Sequence, residues 1–542
     1  MRLRRLMVVG ALAALSVMGC KREDSGGGGG GGSSSGSNSG SSSAASGKGA
    51  VVGGLGTLLA PGPAADLRVT PDGQFATYLF EARKPKLDGI PPQMLLGELH
   101  VVPVAGGSQR KVGEGVTNVP GGQLFSRDSH YLFFLNGYNP ANQAGALHVL
   151  SLTEPTAEPA KLGEQVSYML PSPDGKLLAF VDNGVLKLGP LPTGPFQDVG
   201  GEVSTAQFTP DGKTLFFRRR LVAAGGLAAI SVEKPGAPTK LGDYVGDYEV
   251  SSDGKHVAWQ VRSEAERGMY DLFVADVADL KPRKVSTGTK VFGFSKDGKW
   301  LARTENGKPE LLGDLFVGPA DGGAGRKVGE RVEEFAFSPD SQALGSLEKY
   351  DPSARAGLMS VVALPDGAPQ RVGDRVPNFT WGADGKYVAF LSRFLKPVYS
   401  VDLMLYPVGG EKAEKVQAGV FGYGFTPGNA EVYFRTNCIR EGRACDFKAL
   451  DLNQARAEPA TWLQGIFSYK LASDGKRFLV TYARMDSDTY DVAVYDTKSK
   501  ARKTLDQRVQ IPVLFGGKGD SHVVYLITQG AKPGVYTAPA TP

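Results

Sequence analysis

The sequence predicts an all-β protein, an array of about eleven four-stranded units. Three observations carry this. A turn signature, Ser/Thr-Pro-Asp-Gly-Lys, recurs between paired apolar runs. Its clearest copies are SPDGKLLAF (172–180), TPDGKTLFF (209–217), SSDGKHVAW (251–259), SKDGKWLAR (295–303), GADGKYVAF (382–390) and ASDGKRFLV (472–480). From Asp72 to Asp520 is 448 residues over ten intervals, a mean period of about 45 that marks a repeat architecture. Gly (73) and Pro (35) form about a fifth of the 542 residues, which opposes a helical bundle.

The first fifty residues carry an address and a tether. Arg2, Arg4 and Arg5 form a basic start, and Leu6 to Val17 an apolar stretch too short to span a bilayer comfortably. With Val17-Met18-Gly19-Cys20 this segment resembles a bacterial lipoprotein signal peptide, although Met18 is bulkier than usual there. The resemblance implies cleavage after residue 19 and acylation of Cys20. The competing reading is a plain secretory signal with an incidental Cys20. Arg4-Arg5 is similar to a twin-arginine signal, but its flanks do not fit. Lys21, where Asp would hold such a protein at the inner membrane, implies the outer membrane. Residues 25–50 are Gly/Ser-rich and cannot bury a core, so 20–50 reads as a lipidated Cys and a flexible tether of about 25–30 Å r.m.s. span. The formal charge of +5 (61 basic, 56 acidic) falls to +2 once the three Arg of residues 1–19 are removed. Nucleic-acid binding is not implied.

From residue 51 each unit begins with the hairpin. Asp-Gly between alternating apolar runs is a strong hairpin signal, and a type I′ turn with positive φ at both central residues is expected there. The turn acids are Asp72, Asp128, Asp174, Asp211, Asp253, Asp297, Asp340, Asp384, Asp474 and Asp520, with Gly428 in the ninth slot. A second pair of runs follows each hairpin, as in LFVADVADLKPRKVS (272–286) and LFVGPADGGAGRKVG (315–329). Four strands, A to D, in about 45 residues describe a propeller blade. The pattern resembles the WD40-like repeats of TolB-type β-propellers over nearly all of 51–542. The expected fold is therefore a β-propeller of about eleven four-stranded blades, arranged as two tandem propellers or, alternatively, one large ring. For two propellers, 51–290 and 291–542 are the expected parts, although no linker marks the break. Residues 50–55 (AVVGGL) look like a last strand and GVYTAPATP at the end like a third, so the N-terminal strand is expected to complete the final blade.

The chemistry is sparse. Five His and three Cys leave little for metal clusters, and no G-x-S-x-G elbow, H-E-x-x-H or P-loop occurs. No catalytic residue, metal or cofactor is assigned. Glu114, Glu164, Glu202, Asp243, Glu330 and Asp374, mostly just after Gly in the D–A connections, could ring a central channel, or else serve as polar turn residues. Cys438 and Cys445 in one B–C loop are disulfide candidates in an oxidising compartment. The variable B–C loops, such as 81–98, 348–357 and 483–491, are where binding is expected. The expected function is a lipid-anchored envelope scaffold that binds another protein or polymer without catalysis. It would be attached to the outer membrane facing the periplasm, or else exposed at the surface. By the TolB resemblance the partners would lie in the envelope, yet no N-terminal α/β domain is present here, which puts the TolB role itself in doubt. The alternative function is an envelope hydrolase or lyase acting on a carbohydrate or peptide at the channel.

Overall fold

The computed structural model describes residues 55–154, 156–219, 225–264, 268–308, 312–393, 401–428, 430–439, 443–454, 457–484, 487–528 and 532–542. Among them every regular element is a strand. The strands form nine antiparallel sheets, seven of four strands and two of seven. Each seven-stranded sheet is two blades sharing one long strand. Ala160–Pro171 pairs by its first half with Ala144–Ser151 and by its second half with Leu177–Asp182. Arg502–Gly516 does the same between Tyr490–Asp496 and His522–Ile527. Seven single blades and two fused pairs make eleven, the number read from the turn signature.

In blades 1 to 10 the four strands follow one another in sequence order, A innermost and D outermost. The innermost strands of blades 1 to 6 are Ala64–Val69, Gln123–Phe125, the end of Ala160–Pro171, Val203–Phe208, Val245–Val250 and Phe292–Phe294. Those of blades 7 to 11 are Glu334–Phe337, Phe379–Trp381, Tyr423–Phe425, Ser468–Leu471 and the end of Arg502–Gly516. The N-terminal strand that pairs antiparallel with Gly534–Pro539 and supplies the outermost strand of blade 11 is Thr57–Pro61, just beyond the 50–55 segment expected to do so. The first and last described strands thus lie in one blade, and none of the described blades is left short of an outer strand.

The apolar cores fix how the blades are arranged. Each joins two consecutive blades. Phe134 and Leu99 meet between blades 1 and 2, Phe180 and Leu147 between 2 and 3, and Phe390 and Leu347 between 7 and 8. The circle closes where Leu59, Val524 and Val535 of blade 11 pack on Leu67, Ala76 and Tyr78 of blade 1. Two tandem propellers would each need their own closure, and the blades instead form the alternative, one large ring. The division at 290/291 is corrected accordingly. Ala258, Leu272 and Val274 of blade 5 pack against Leu301 of blade 6 across it, and the described residues belong to one compact unit.

Local chemistry corrects the turn type. In blade 3 the Gly175 N–H donates to Ser172 O at 3.0 Å, so Pro173 and Asp174 are the central residues of a type I turn and only Gly175 has positive φ, +72°. Proline's φ is held near −65°, which fits the first central position and excludes type I′. Gly175 takes the left-handed position that follows. Ser129 and Ser341 adopt the same φ, 62°, where glycine is missing.

Ser172 Oγ donates to Asp174 Oδ1 at 2.6 Å, and Asp174 Oδ1 accepts the Lys176 N–H at 3.2 Å. Neighbouring turns also touch. A Cβ on Gly298 would lie 2.4 Å from Asp253 Cγ, and one on Gly385 2.4 Å from Asp340 Cγ, so the turns form a continuous belt on one face.

The belt makes stability acid-sensitive. Asp174 and Asp211 are held below the usual carboxylate range, foremost by the hydroxyls of Ser172 and Thr209. For Asp128, Asp253, Asp297 and Asp474, burial pulls upward but is outweighed by hydroxyl, N–H and cationic partners. A carboxyl whose folded pKa is depressed contributes stability present above its unfolded value, about 3.9, and lost as pH falls through the folded value. The urea midpoint is therefore expected to drop between about pH 5 and pH 2. A midpoint unchanged from pH 6 to pH 3 would show that the turn acids contribute nothing.

Candidate functional site

Eleven innermost strands face the ring's centre with one edge unpaired in every sheet. Side chains from adjacent blades satisfy part of that edge. Arg68 donates to Gln123 O at 3.1 Å, Tyr168 to Ala206 O at 2.9 Å and Trp381 to Ala336 O at 3.1 Å. Arg218 donates to Gly246 O and Arg435 to Phe467 O. These bonds tie blade to blade near the axis and answer the need of buried backbone groups for partners.

The inner wall also carries charge. Asp66 accepts from Arg68 (3.1 Å) and from Gln123 (2.8 Å), and burial nevertheless raises its pKa. Glu249 accepts the Phe294 N–H of the next blade, and burial pushes its carboxyl up to about 7. Beyond it lies Gly293, where an added Cβ would be 3.6 Å from Glu249 Oε2. None of these positions was singled out from the sequence. The signal was weak, because the position two before each turn's first residue is occupied by Arg68, Leu124, Glu249 or Lys470 in different blades, with no shared type.

The acids that were expected at the channel rim lie elsewhere. Glu114, Glu164, Asp243 and Glu330 pair with the Lys three residues earlier, Lys111, Lys161, Lys240 and Lys327, at 2.6, 2.6, 2.7 and 3.5 Å. Asp374 pairs with Arg371. Their backbone N–H groups point to the second strand of the following blade: Glu114 N–H to Asn136, Glu164 N–H to Asp182 and Glu330 N–H to Glu348. The acids therefore lie between the outer strand of one blade and the second strand of the next, paired with their own cations, and the rim assignment is corrected. Glu202 is in the same connection of blade 3 with φ of 56°, a turn position.

Nine of the ten turn acids, Asp72 to Asp474, accept a backbone N–H from two residues on, as Asp72 does from Gln74 at 3.0 Å and Asp384 from Lys386 at 2.9 Å. Asp520 differs. Its own N–H donates to Gly517 O and its φ is 55°, so it fills the left-handed position, and Gly519 stands where the turn acid should be. Its carboxylate instead accepts the Ser473 N–H of blade 10 at 2.6 Å. Cys438 and Cys445 are joined by a disulfide across the B–C hairpin of blade 9. Cys20 and the tether lie outside the described residues, as do parts of the B–C loops.

The atypical loop of blade 11, Gly517-Lys518-Gly519-Asp520-Ser521, divides two cavities at the closure of the ring. On its outer side a groove of about 1060 Å³ runs over blades 11, 1 and 2. Its floor is apolar, with Phe75, Val101 and Leu150, and its polar groups include Arg110, Lys518 and Glu154. On the inner side a cavity of about 520 Å³ lies between Asp72, Lys470, Lys518 and Asp520. An apolar floor with a few polar groups suits binding. His522 Nδ1 lies 3.0 Å from the adjacent Ser521 Oγ.

No group of three or more His, Cys, Asp or Glu placed to hold a metal occurs among the described residues, and no helix there is long and apolar enough to cross a membrane. No family model and no curated protein matches the chain. Among solved structures it is similar to a eukaryotic initiation factor, at 12% identity and TM-score 0.42, covering 74% of this chain and 88% of that one. It is also similar to the tricorn protease, at 11% identity and TM-score 0.29, covering 88% of this chain and 57% of that one. The sheets themselves establish the family of architectures to which the chain belongs, the multi-blade β-propellers.

Proposed function

We propose that this protein is a lipid-anchored scaffold of the bacterial envelope, whose propeller binds another envelope protein or polymer without catalysis. The observation that carries the binding role is the groove at the ring's closure. The loop of blade 11 departs from the shared turn signature and borders both cavities, and in a repeat array such a departure suits recognition. The anchor rests on Val17-Met18-Gly19-Cys20 and the Gly/Ser tether, and the TolB-type kinship on the Ser/Thr-Pro-Asp-Gly-Lys repeats.

Two measurements test the two halves. Cys20→Ala is expected to move the protein from the membrane to the soluble fraction; retention of that variant, with no acyl label on the native chain, would refute the anchor. A photo-crosslinker at Lys518 is expected to capture one reproducible envelope component, and one at Lys213, in an ordinary turn, is not. Capture of background alone, or equal capture at both positions, would remove the groove as the binding site.

A further inference from the structure

The interfaces of the ring are not alike. At five of them the second strand of one blade presents an aromatic ring to a glycine on the outer strand of the blade before it. The pairs are Phe134 on Gly113, Phe180 on Gly163, Phe217 on Gly200, Trp259 on Gly242 and Phe390 on Gly373. An added Cβ would stand 2.5 to 3.3 Å from those rings, so the glycines are slots for them. Between blades 5 and 6 both halves of this lock are replaced. The ring position holds Arg303 and the slot Ser286.

The replacement makes this interface polar. Arg303 is 4% exposed, donates from Nε to Glu305 at 2.9 Å, and leaves Nη1 buried without a partner. Ser286 Oγ faces Thr289 Oγ1 at 2.7 Å, Gln260 Nε2 donates to Thr289 O at 3.1 Å, and Thr304 Oγ1 accepts the Lys290 N–H at 3.0 Å. Among the described residues the apolar core here is Ala258, Leu272, Val274 and Leu301, four residues, against ten between blades 4 and 5 that include Trp259 and Phe216. Trp259 Nε1 between blades 4 and 5 is likewise buried without a partner, so the contrast lies in apolar contact, and an interface with four buried apolar residues resists separation less than one with ten that include large aromatic rings.

We infer that the ring yields first between blades 5 and 6, which act as a hinge between two arcs, blades 1–5 and blades 6–11. The hinge lies across the ring from the closure at blades 11 and 1, where the outer strand is supplied by the other end of the chain. At the closure, by contrast, ten buried apolar residues pack blade 11 on blade 1, so the compliance of the ring is concentrated between blades 5 and 6.

Hydrogen exchange of the full-length chain tests this. Amides of 283–305 are expected to be ~10-fold or more less protected than those of 241–259 and 373–390, which hold intact locks. Ser286→Gly with Arg303→Phe restores the lock and is expected to raise protection of 283–305 selectively. If that pair does not fold, Arg303→Met removes the charge while keeping an apolar stem and is read in the same way. Equal or higher protection of 283–305 in the native chain overturns the hinge, and so does a restored lock that leaves this protection unchanged.

Discussion

Replacing Asp506 by Ala is expected to loosen the ring at its closure and lower stability by about 2–5 kcal/mol, the largest effect of any single substitution considered. Asp506 is fully buried at the outer strand of blade 10. Its Oδ2 accepts the N–H of Leu55 at 2.8 Å, the N–H of Gly56 at 3.3 Å and the hydroxyl of Tyr525 at 2.7 Å, and its Oδ1 accepts the N–H of Gln507 at 2.7 Å. Leu55 and Gly56 lead directly into the closing strand Thr57–Pro61. One carboxylate therefore ties together blade 10, blade 11 and the beginning of the closing strand. Burial and the facing carboxylate push the Tyr525 hydroxyl well up, so it stays a donor. Asp506→Ala removes an acceptor from four donors, whereas Asp506→Asn keeps the shape but turns an N–H toward donors, and Tyr525→Phe deletes a single bond. The expected order of damage is Ala, then Asn, then Phe, with about 1 kcal/mol for the last. Urea midpoints give the order. Limited proteolysis should release the N-terminal strand from Asp506→Ala first. A variant with the native midpoint and native cleavage pattern would show that the closure is held by strand pairing alone.

The position of Asp506 shows which information was legible in the sequence. The blade count, the four-strand unit and the closure by the N-terminal strand all followed from repetition, because each turn signature is a local device that works the same way in every copy. Ring closure is not local. Nothing in residues 286–292 announces whether blade 6 continues the first circle or begins a second, since that depends on the small rotation between each pair of packed blades. Nine of the ten turn acids cap their own turns and Asp520 does not, and the Asp-Gly pair was placed one residue too far along. Pro173 is the first central residue, and its fixed φ was the sign that type I, not type I′, was in use. The rim acids were misplaced for a similar reason. The spacing Lys111/Glu114, repeated at Lys161/Glu164 and Lys327/Glu330, is that of an ion pair within one connection, while the backbone N–H of each acid reaches the next blade. The inner-wall groups Glu249 and Asp66 were hidden because the innermost strands share no residue type there.

Gly373→Ala gives the second large effect, and it tests the packing rule of the ring more directly than any core truncation. Gly373 lies on the outer strand of blade 7, and its φ is not in the left-handed region, so the backbone does not require glycine. Space does. An added Cβ would stand 2.5 Å from Phe390 Cε2, 2.9 Å from Phe390 Cζ and 2.9 Å from Val376 Cγ2. Phe390 is 1% exposed and has no room to retreat, so overpacking of about 1–3 kcal/mol is expected. Gly329 is the internal control, because the ring position opposite it holds Ser346 and an added Cβ would have Val332 Cγ2 at 3.0 Å, Glu348 Cδ at 3.4 Å and Leu315 Cβ at 3.4 Å as its nearest neighbours. Gly329→Ala should therefore cost less than Gly373→Ala. Shortening the ring should also rescue. Phe390→Leu alone leaves a cavity, but in the Gly373→Ala background the new methyl fills part of it, so the two changes together should cost less than their sum by about 1 kcal/mol. Strict additivity, or equal costs at Gly329 and Gly373, would mean that the glycines are not slots. The covariation of glycine and aromatic ring from blade to blade would then need another cause.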